Sequence, residues 1–264
     1  MVIVDMVFED ICSQIASHPP ERGGALYGPR NYPAVTHFEL DQAGTTSAVS
    51  YTPSTQLINN VPRVEAEMEL QFKGIIHSHP SGFAHPSSAD ESAVTSFFRV
   101  NPHFSRIELP IVQHIKRKWF GSSDDFIFWF SAERQKELNC AASQTGVYIK
   151  KRNFFVLPLI EHAKQILKEL GKLNFQLDII TDKLIPLKLE NAEIFGILAS
   201  SKNMEYEIYY YISIDYPIIP PIVMYRAEGK MHQLNVEWKG LDDKVDSYVK
   251  SIGTSLANIW KNTN

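Results

Sequence analysis

The spacing of apolar residues in the first half of the chain predicts helices and strands in mixed order. VFEDICSQIASHP has apolar residues near helical spacing and ends at two prolines, after which GGALYG predicts a short strand. Helices are also predicted at PRVEAEMELQ and SSADESAVTSFFRV. Further strands are predicted, in chain order, at VTHFEL, around VSYTP, and at FKGIIHSH, IELPIVQHI, RKWFG and DFIFWFSA. This mixed half ends near Ala132.

The second half of the chain predicts a smaller unit of its own. FFVLPLIEHAKQILKELGK is an amphipathic helix closed by Gly171, and VDSYVKSIGTSLANIW predicts a closing helix. Strands are predicted between them at LIPLKLEN, AEIFGILAS, EYEIYYYISI, PIVMYR and MHQLNVEW. One flanking helix, a meander of strands and a closing helix describe an α+β domain. Because the stretch from Glu133 to Arg152 is polar and weakly periodic, we predict two domains, residues 1–140 and 150–264.

Composition and charge narrow the classes of function. The 264 residues are 44% hydrophobic and 21% charged, which is ordinary globular composition. A net charge of −4 without a long basic block argues against nucleic acid as a partner. Cys12 and Cys140 are the only cysteines, which favours a reducing, cytoplasmic location. No membrane association is expected, since the acidic N-terminal segment is unlike a secretory signal and no apolar run reaches roughly 18 residues.

The pattern H-x-H-x7-S-x2-D carries the candidate chemistry. His77 and His79 lie two residues apart at the end of a predicted strand, so both imidazoles project to one side. Pro80 then turns the chain, and Asp90, in the first turn of the next helix, can return as a third ligand. Three protein ligands that leave a fourth position open are typical of a catalytic zinc site. The sequence therefore predicts a Zn²⁺ site built from two histidines and one aspartate.

A structural interpretation of the same residues competes with the catalytic one. Ser87 and Asp90 before an apolar helical run also form the pattern of a helix N-terminal capping box, which is far commoner than a zinc site. The two histidines favour the metal interpretation, because a strand-borne pair, a proline turn and a correctly spaced acid coincide rarely. His85 lies in the same loop but forms no part of this pattern.

The motif resembles the signature of JAMM/MPN+ metalloproteases. The segment Glu21-Arg22-Gly23-Gly24-Ala25-Leu26-Tyr27-Gly28 is similar to the glutamate-bearing strand of that family, and the resemblance spans roughly Met1 to Ala132. It implies a cytidine-deaminase-like mixed sheet with flanking helices. It further implies His77, His79 and Asp90 as zinc ligands. Glu21 would be the general acid/base, and Ser87 would donate a hydrogen bond to the tetrahedral intermediate.

This resemblance implies an isopeptidase or deubiquitinase-like hydrolase that removes a ubiquitin-like protein from its conjugates. Trimming of a modifier precursor uses the same chemistry and stays open. The alternative from another class is a non-catalytic MPN-type scaffold that binds modifiers or conjugation partners. A third hypothesis keeps the zinc but assigns a small-molecule substrate. Deamination is disfavoured, because the downstream P-C-x-x-C of zinc deaminases is absent.

The second domain carries a resemblance of its own. Tyr216-Pro217-Ile218-Ile219-Pro220-Pro221 lies between two predicted strands and resembles the YPxxPP loop of ubiquitin-conjugating (E2-like) and RWD-like domains. A proline cluster that only stiffens a turn is the simpler alternative. No cysteine follows Cys140 and no HPN tripeptide occurs, so thioester chemistry is excluded. We therefore expect a recognition module that binds a ubiquitin-like protein, conjugation enzymes of E1 or E2 type, or a second copy of itself. The pairing resembles bacterial ubiquitin-like conjugation operons, some of them antiphage.

Overall fold

The computed structural model describes residues 1–16, 20–30, 32–48, 50–113, 126–135, 146–180, 184–189, 192–227, 229–238 and 245–263. Its contacts divide the chain into two units. The first unit comprises Met1–Ile3 and Val7–Phe155, and the second comprises Val4–Met6 and Val156–Asn264. The domain limits at 140 and 150 stay a prediction. The limit at 140 falls within residues 136–145, which lie outside the described residues.

The first part of the chain alternates strands and helices. The strands are β1 (Val2–Val4), β2 (Gly23–Gly28), β3 (Ala34–Val35), β4 (His37–Leu40), β5 (Thr45–Thr46), β6 (Tyr51–Thr52), β7 (Gln71–His79), β8 (Arg106–Glu108), β9 (Ile111–Gln113), β10 (Ile127–Phe128), β11 (Phe130–Gln135) and β12 (Gly146–Lys151). The helices are α1 (Asp5–Ile11), which continues as π-helix over Cys12–Ala16, α2 (Thr55–Met68) and α3 (Ser88–Val100).

Strand β7 organises the main sheet of the first unit. It pairs antiparallel with β2 and parallel with β8 and β9, and β2 pairs in turn with β4. Helix α2 packs against β2 and β7. Side chains such as Tyr27, Phe72 and Phe98 are buried between these layers. The carboxyl end of β7, which carries the two histidines, is thus fixed by strands on both sides.

Several predicted elements have different bounds in the structure. The helix predicted from Pro62 begins at Thr55, because the Ser54 hydroxyl caps it by accepting the Leu57 N–H. IELPIVQHI forms two strands, β8 and β9, instead of one. The polar stretch from Glu133 contains an unpredicted strand, β12, which pairs antiparallel with β11. The strand predicted at RKWFG lies outside the described residues.

The second unit is an antiparallel sheet with two helices on it. Its elements are β13 (Phe155–Leu157), which begins in the first unit, α4 (Leu159–Lys172), β14 (Asp178–Ile179), β15 (Ile185–Leu189), β16 (Ala192–Ser200), β17 (Glu207–Ser213), β18 (Ile222–Ala227), β19 (Lys230–Leu234) and α5 (Val245–Thr263). Strands β14, β16, β17, β18 and β19 follow one another across the sheet, and β15 also pairs with β16. Helices α4 and α5 pack together and against these strands. The predicted fold class, mixed α/β followed by α+β, is confirmed.

The Tyr216–Pro221 segment connects β17 to β18 with a cis peptide bond between Tyr216 and Pro217. The Trp238 indole N–H donates a hydrogen bond to the Pro217 carbonyl oxygen at 3.2 Å. Among the described residues, no helix combines the length and the apolar character that a membrane crossing requires.

Candidate metal centre

The end of β7 places His77 and His79 side by side. Both are buried, with 4% and 6% of their surfaces exposed, and their Nε2 atoms are 2.9 Å apart. The alternation of side chains along a strand puts both rings on one face of the sheet, as the spacing predicts. Two imidazole nitrogens this close can share one metal ion or one proton.

The first turn of α3 brings Asp90 to the same point. Its Oδ1 lies 3.2 Å from His77 Nε2, and its Oδ2 lies 3.5 Å from His79 Nε2. Nitrogen and oxygen ligands on one tetrahedral zinc ion lie about 3.3 Å apart, given bonds of about 2.0–2.1 Å. The three separations of 2.9, 3.2 and 3.5 Å bracket that value. The donor set therefore fits zinc in both chemistry and spacing, and these residues form a group that could hold a metal.

Ser87 fixes the Asp90 carboxylate through a capping box. The Ser87 backbone N–H and hydroxyl donate to Asp90 Oδ2 at 2.6 and 2.8 Å, and the Asp90 N–H donates back to the Ser87 hydroxyl at 3.3 Å. The cap and the metal interpretation are thus compatible, because one carboxylate serves both. Capping leaves Oδ1 directed at His77.

The pKa values of Asp90 and His79 are both shifted from their ordinary values. Burial alone would raise the pKa of Asp90, but hydrogen bonds from His77 and His79 hold it well below its usual range. Burial alone would lower the pKa of His79, but the hydrogen bond and charge of Asp90 raise it above its ordinary value. The carboxylate is therefore charged at neutral pH and ready to bind a cation.

Glu21 enters the site from the residue pair that precedes β2. It is 2% exposed, and its backbone N–H donates to the Ser47 carbonyl oxygen at 3.1 Å. Burial raises the pKa of its carboxyl group, with a smaller opposing effect from His79 and a reinforcing one from Asp90. The Glu21 side chain is therefore buried in the pocket wall and is not a solvated surface acid.

Ser78, the middle residue of the H-x-H motif, is a supporting residue of the candidate site that the sequence pattern did not single out. It is fully buried, and its hydroxyl accepts the Arg22 N–H at 2.9 Å. Its own backbone N–H donates to the Arg22 carbonyl oxygen at 2.8 Å. Ser78 therefore ties the residue next to Glu21 to the strand that carries both histidines. The alternation of side chains along the strand, which points Ser78 away from the side that His77 and His79 share, could have indicated this supporting role.

The five candidate residues open into one pocket of about 480 Å³. Its walls come from Ser50 and Tyr51 on one side and from the loop of residues 80–86 on the other, which includes Phe83 and His85. Glu21, His77, His79, Ser87 and Asp90 all line it. The structure thus brings together every residue that the sequence singled out in this region, and adds His85 as a lining residue.

Comparison with known proteins agrees with this geometry. Residues 8–105 match the family described as prokaryotic homologs of the JAB domain. The match supports a JAMM/MPN-type domain in this part of the chain. The JAB/MPN family includes metalloisopeptidases, and JAMM-type domains bind zinc.

The chain was also compared with solved structures and with curated proteins. The chain is similar to the solution structure of protein DSY2949 from Desulfitobacterium hafniense, with 13% identity, a TM-score of 0.43, and coverage of 59% of this chain and 92% of that chain. No curated protein matches the chain.

Tyr51 supplies an aromatic wall to the pocket. Its ring stacks on the His77 imidazole with a centroid separation of 6.0 Å and an interplanar angle of 22°. Its hydroxyl donates to Asp41 at 2.9 Å, and the same carboxylate accepts hydrogen bonds from the Ser54 N–H and hydroxyl. A Cβ at Gly23 would lie 2.3 Å from the ring, so the glycine makes room for it. This second missed residue comes from a short hairpin with a weak strand pattern.

Proposed function

We propose that the JAB-type domain is a zinc-dependent peptidase that cleaves a ubiquitin-like protein from its conjugates or trims its precursor. The observation that carries the proposal is the convergence of His77, His79 and Asp90 at the spacing of one tetrahedral ion, beside a buried Glu21. An open pocket rather than a closed cluster surrounds these groups. Closed donor sets are typical of structural zinc, and open ones of catalytic zinc.

His77, His79 and Asp90 would hold the ion through two nitrogens and one carboxylate oxygen. When bound, zinc supplies a Lewis acid and lowers the pKa of a coordinated water toward about 7. The Asp90 carboxylate is oriented for this task in advance, because Ser87 holds one of its oxygens. Hydrogen bonds from a neighbouring group to a metal ligand fix the ligand in place before the metal binds, and they raise the affinity of the site for the metal.

Glu21 is the group suited to move the proton. The nitrogen of the cleaved peptide bond leaves as an amine only after it receives a proton. A base must first take that proton from the attacking water. Glu21 lies in the same pocket as the donor set and has a raised pKa, so it can accept and return one proton. No covalent intermediate with the protein is required.

Ser87 would stabilise the negative oxygen that develops as the carbonyl is attacked. Its hydroxyl lines the pocket and donates to Asp90 Oδ2 in the structure. In the proposed role the hydroxyl turns that donor toward the substrate oxygen, while its oxygen continues to accept the Asp90 N–H. The capping function and the catalytic function therefore use different parts of one hydroxyl group.

The second unit would recognise a ubiquitin-like protein or an enzyme of its conjugation pathway. It combines an antiparallel meander, two packed helices and a proline-rich connection between β17 and β18, and it has no cysteine for a thioester. Binding is the role that remains for such a domain. Incubation of the full chain with an activated ubiquitin-like protein should leave no thioester adduct.

Cleavage of a ubiquitin-like fusion or isopeptide-linked conjugate tests the proposal directly. The wild type should release the modifier at its last residue, and both a zinc chelator and Glu21→Gln should abolish release. Glu9→Gln, which changes an exposed glutamate on α1, is the matched control and should cleave normally. Tight zinc binding without cleavage of any modifier would overturn the peptidase proposal in favour of an MPN-type scaffold.

A further inference from the structure

The loop between the histidines and the capping box is tied to the neighbouring strand by one side chain. In the orientation of its amide that satisfies both the oxygen and the nitrogen, Gln113 accepts hydrogen bonds from three successive backbone N–H groups. These belong to Gly82, Phe83 and Ala84, at 3.2, 3.0 and 3.2 Å. A side-chain oxygen rarely satisfies three backbone donors, so the loop conformation is closely specified around it.

Gln113 reaches the loop because of strand register. It ends β9, which runs parallel to β7, and it is the residue aligned with His79 across the pair. The chain leaves β7 at Pro80 and curls back over the end of β9. Gly82 has a φ of 96°, a conformation that favours glycine and lets successive N–H groups point to one side.

The other side of the loop is held by the metal ligand itself. The His79 ring makes a hydrogen bond to the backbone of Phe83. Its Nε2 faces His77 and Asp90, so the bond to Phe83 fixes the ring orientation in which Nε2 meets the metal position. Phe83 is thus held by two hydrogen bonds: its backbone N–H donates to the Gln113 side chain, and its backbone also bonds to the His79 ring.

The loop also determines where the third ligand arrives. Residues 80–86 are the whole connection between His79 and the Ser87 cap, so their path sets the start of α3 and the position of Asp90. Without Gln113, the Phe83 N–H would keep the Pro80 carbonyl oxygen, 3.2 Å away, as its acceptor. The Gly82 and Ala84 N–H groups would lose the acceptor that Gln113 provides, so the loop path that places the ligands would be less closely specified.

We propose that Gln113 is a positioning residue for the metal centre: its side-chain oxygen anchors loop 80–86, and through it the ring of His79 and the carboxylate of Asp90. A cleavage assay of this proposal rests on the proposed function. A measurement of zinc affinity does not depend on what the protein cleaves. Gln113 is neither one of the residues that line the pocket nor one of the candidate metal ligands.

Two substitutions distinguish the effect of the hydrogen-bond acceptor from the effect of side-chain size. Gln113→Met keeps the length and removes the oxygen, whereas Gln113→Glu keeps an oxygen that can accept the same three N–H groups. We expect Gln113→Met to raise the Kd for zinc about 10- to 100-fold, as loss of such supporting contacts commonly does. Excess zinc should then restore most of the cleavage. Gln113→Glu should stay within a few-fold of the wild type.

Zinc titration with a competing chelator, alongside melting of the metal-free protein, measures these effects. Gln56→Met, on the exposed side of α2, is the matched control. Equal zinc affinity in the wild type and Gln113→Met, or an equal loss in Gln113→Met and Gln113→Glu, would overturn the proposal. If Gln113→Met fails to fold, Gln113→Asn, whose shorter side chain cannot reach all three donors, must show the reduced affinity instead. Unchanged zinc affinities together with absent cleavage in the wild type would count against the proposed function as well.

Discussion

Ser78 and Arg22 exchange two hydrogen bonds across β7 and the residues that lead into β2, at 2.9 and 2.8 Å. One bond uses the serine hydroxyl and the other its backbone N–H, so the pairing continues the strand ladder by means of a side chain. Since Glu21 is the neighbour of Arg22, this contact sets the separation between the proposed general base and the two histidines.

Ser78→Ala should therefore lower turnover by more than its loss of stability alone would explain. The change leaves the Arg22 N–H without its partner, which costs about 1–3 kcal/mol when the group is buried. Glu21 would lose its fixed position, so kcat should fall while zinc content stays the same. Ser131→Ala, at another fully buried serine whose hydroxyl accepts from Arg152, is the control. An equal fall in kcat for both variants would mean that Ser78 acts only on stability.

Ser87 should have two separable roles. Ser87→Ala removes the cap of α3, at a cost of about 1 kcal/mol in the free energy of unfolding. It also removes the proposed donor to the substrate oxygen, which should lower kcat about 100- to 1,000-fold. Ser87→Thr retains both the cap and the hydroxyl. Thermal melting and steady-state kinetics on the three proteins distinguish the roles, and a Ser87→Ala enzyme with normal kcat would restrict Ser87 to capping.

Asp90 should be required for zinc independently of its role in the helix cap. Asp90→Asn keeps an oxygen that can accept the Ser87 N–H but removes the negative charge. Asp90→Ala removes both. Both variants should lose more than about 100-fold in zinc affinity, beyond the loss typical of supporting residues. Only Asp90→Ala should lose the stability of the cap. Zinc content after gel filtration measures the first effect, and retention of full zinc by either variant would remove Asp90 from the ligand set.

The Asp41 carboxylate should make stability depend on pH in the acidic range. Burial alone would raise its pKa, but hydrogen bonds from Ser54 and Tyr51 lower it below the value in the unfolded chain, about 3.9. The contribution to stability is therefore complete above about pH 4 and is lost as the pH falls through the folded-state pKa. Denaturant unfolding at neutral and acidic pH measures this effect. The free energy of unfolding should fall less on acidification for Asp41→Asn than for the wild type. Asp10→Asn, at an exposed aspartate, should not differ from the wild type.

Much of the site could be predicted because it is local in sequence. His77, His79, Ser87 and Asp90 lie within one strand, one turn and one helix start, so periodicity and capping rules place them without knowledge of the fold. The role of Glu21 came from a family resemblance, since no spacing rule links it to the histidines. The burial of its side chain is visible only once β2 pairs with β7.

The residues that the sequence did not reveal act through pairings of distant segments. Ser78 meets Arg22 across a strand pair, Tyr51 meets His77 from a short hairpin, and Gln113 meets the loop 80–86 from a parallel strand. Register between strands is fixed by the whole sheet rather than by either strand alone. The same reason explains why β12 was missed, since its pairing with β11 makes a strand of a polar segment.

Cleavage of a ubiquitin-like conjugate by zinc-loaded wild type and zinc-loaded Glu21→Gln, with metal content measured in the same samples, tests the central claim most directly. We predict equal zinc in both proteins, release of the modifier by the wild type, and no detectable release by Glu21→Gln. Equal cleavage by the two proteins, or zinc-loaded wild type that cleaves no modifier, would contradict the account.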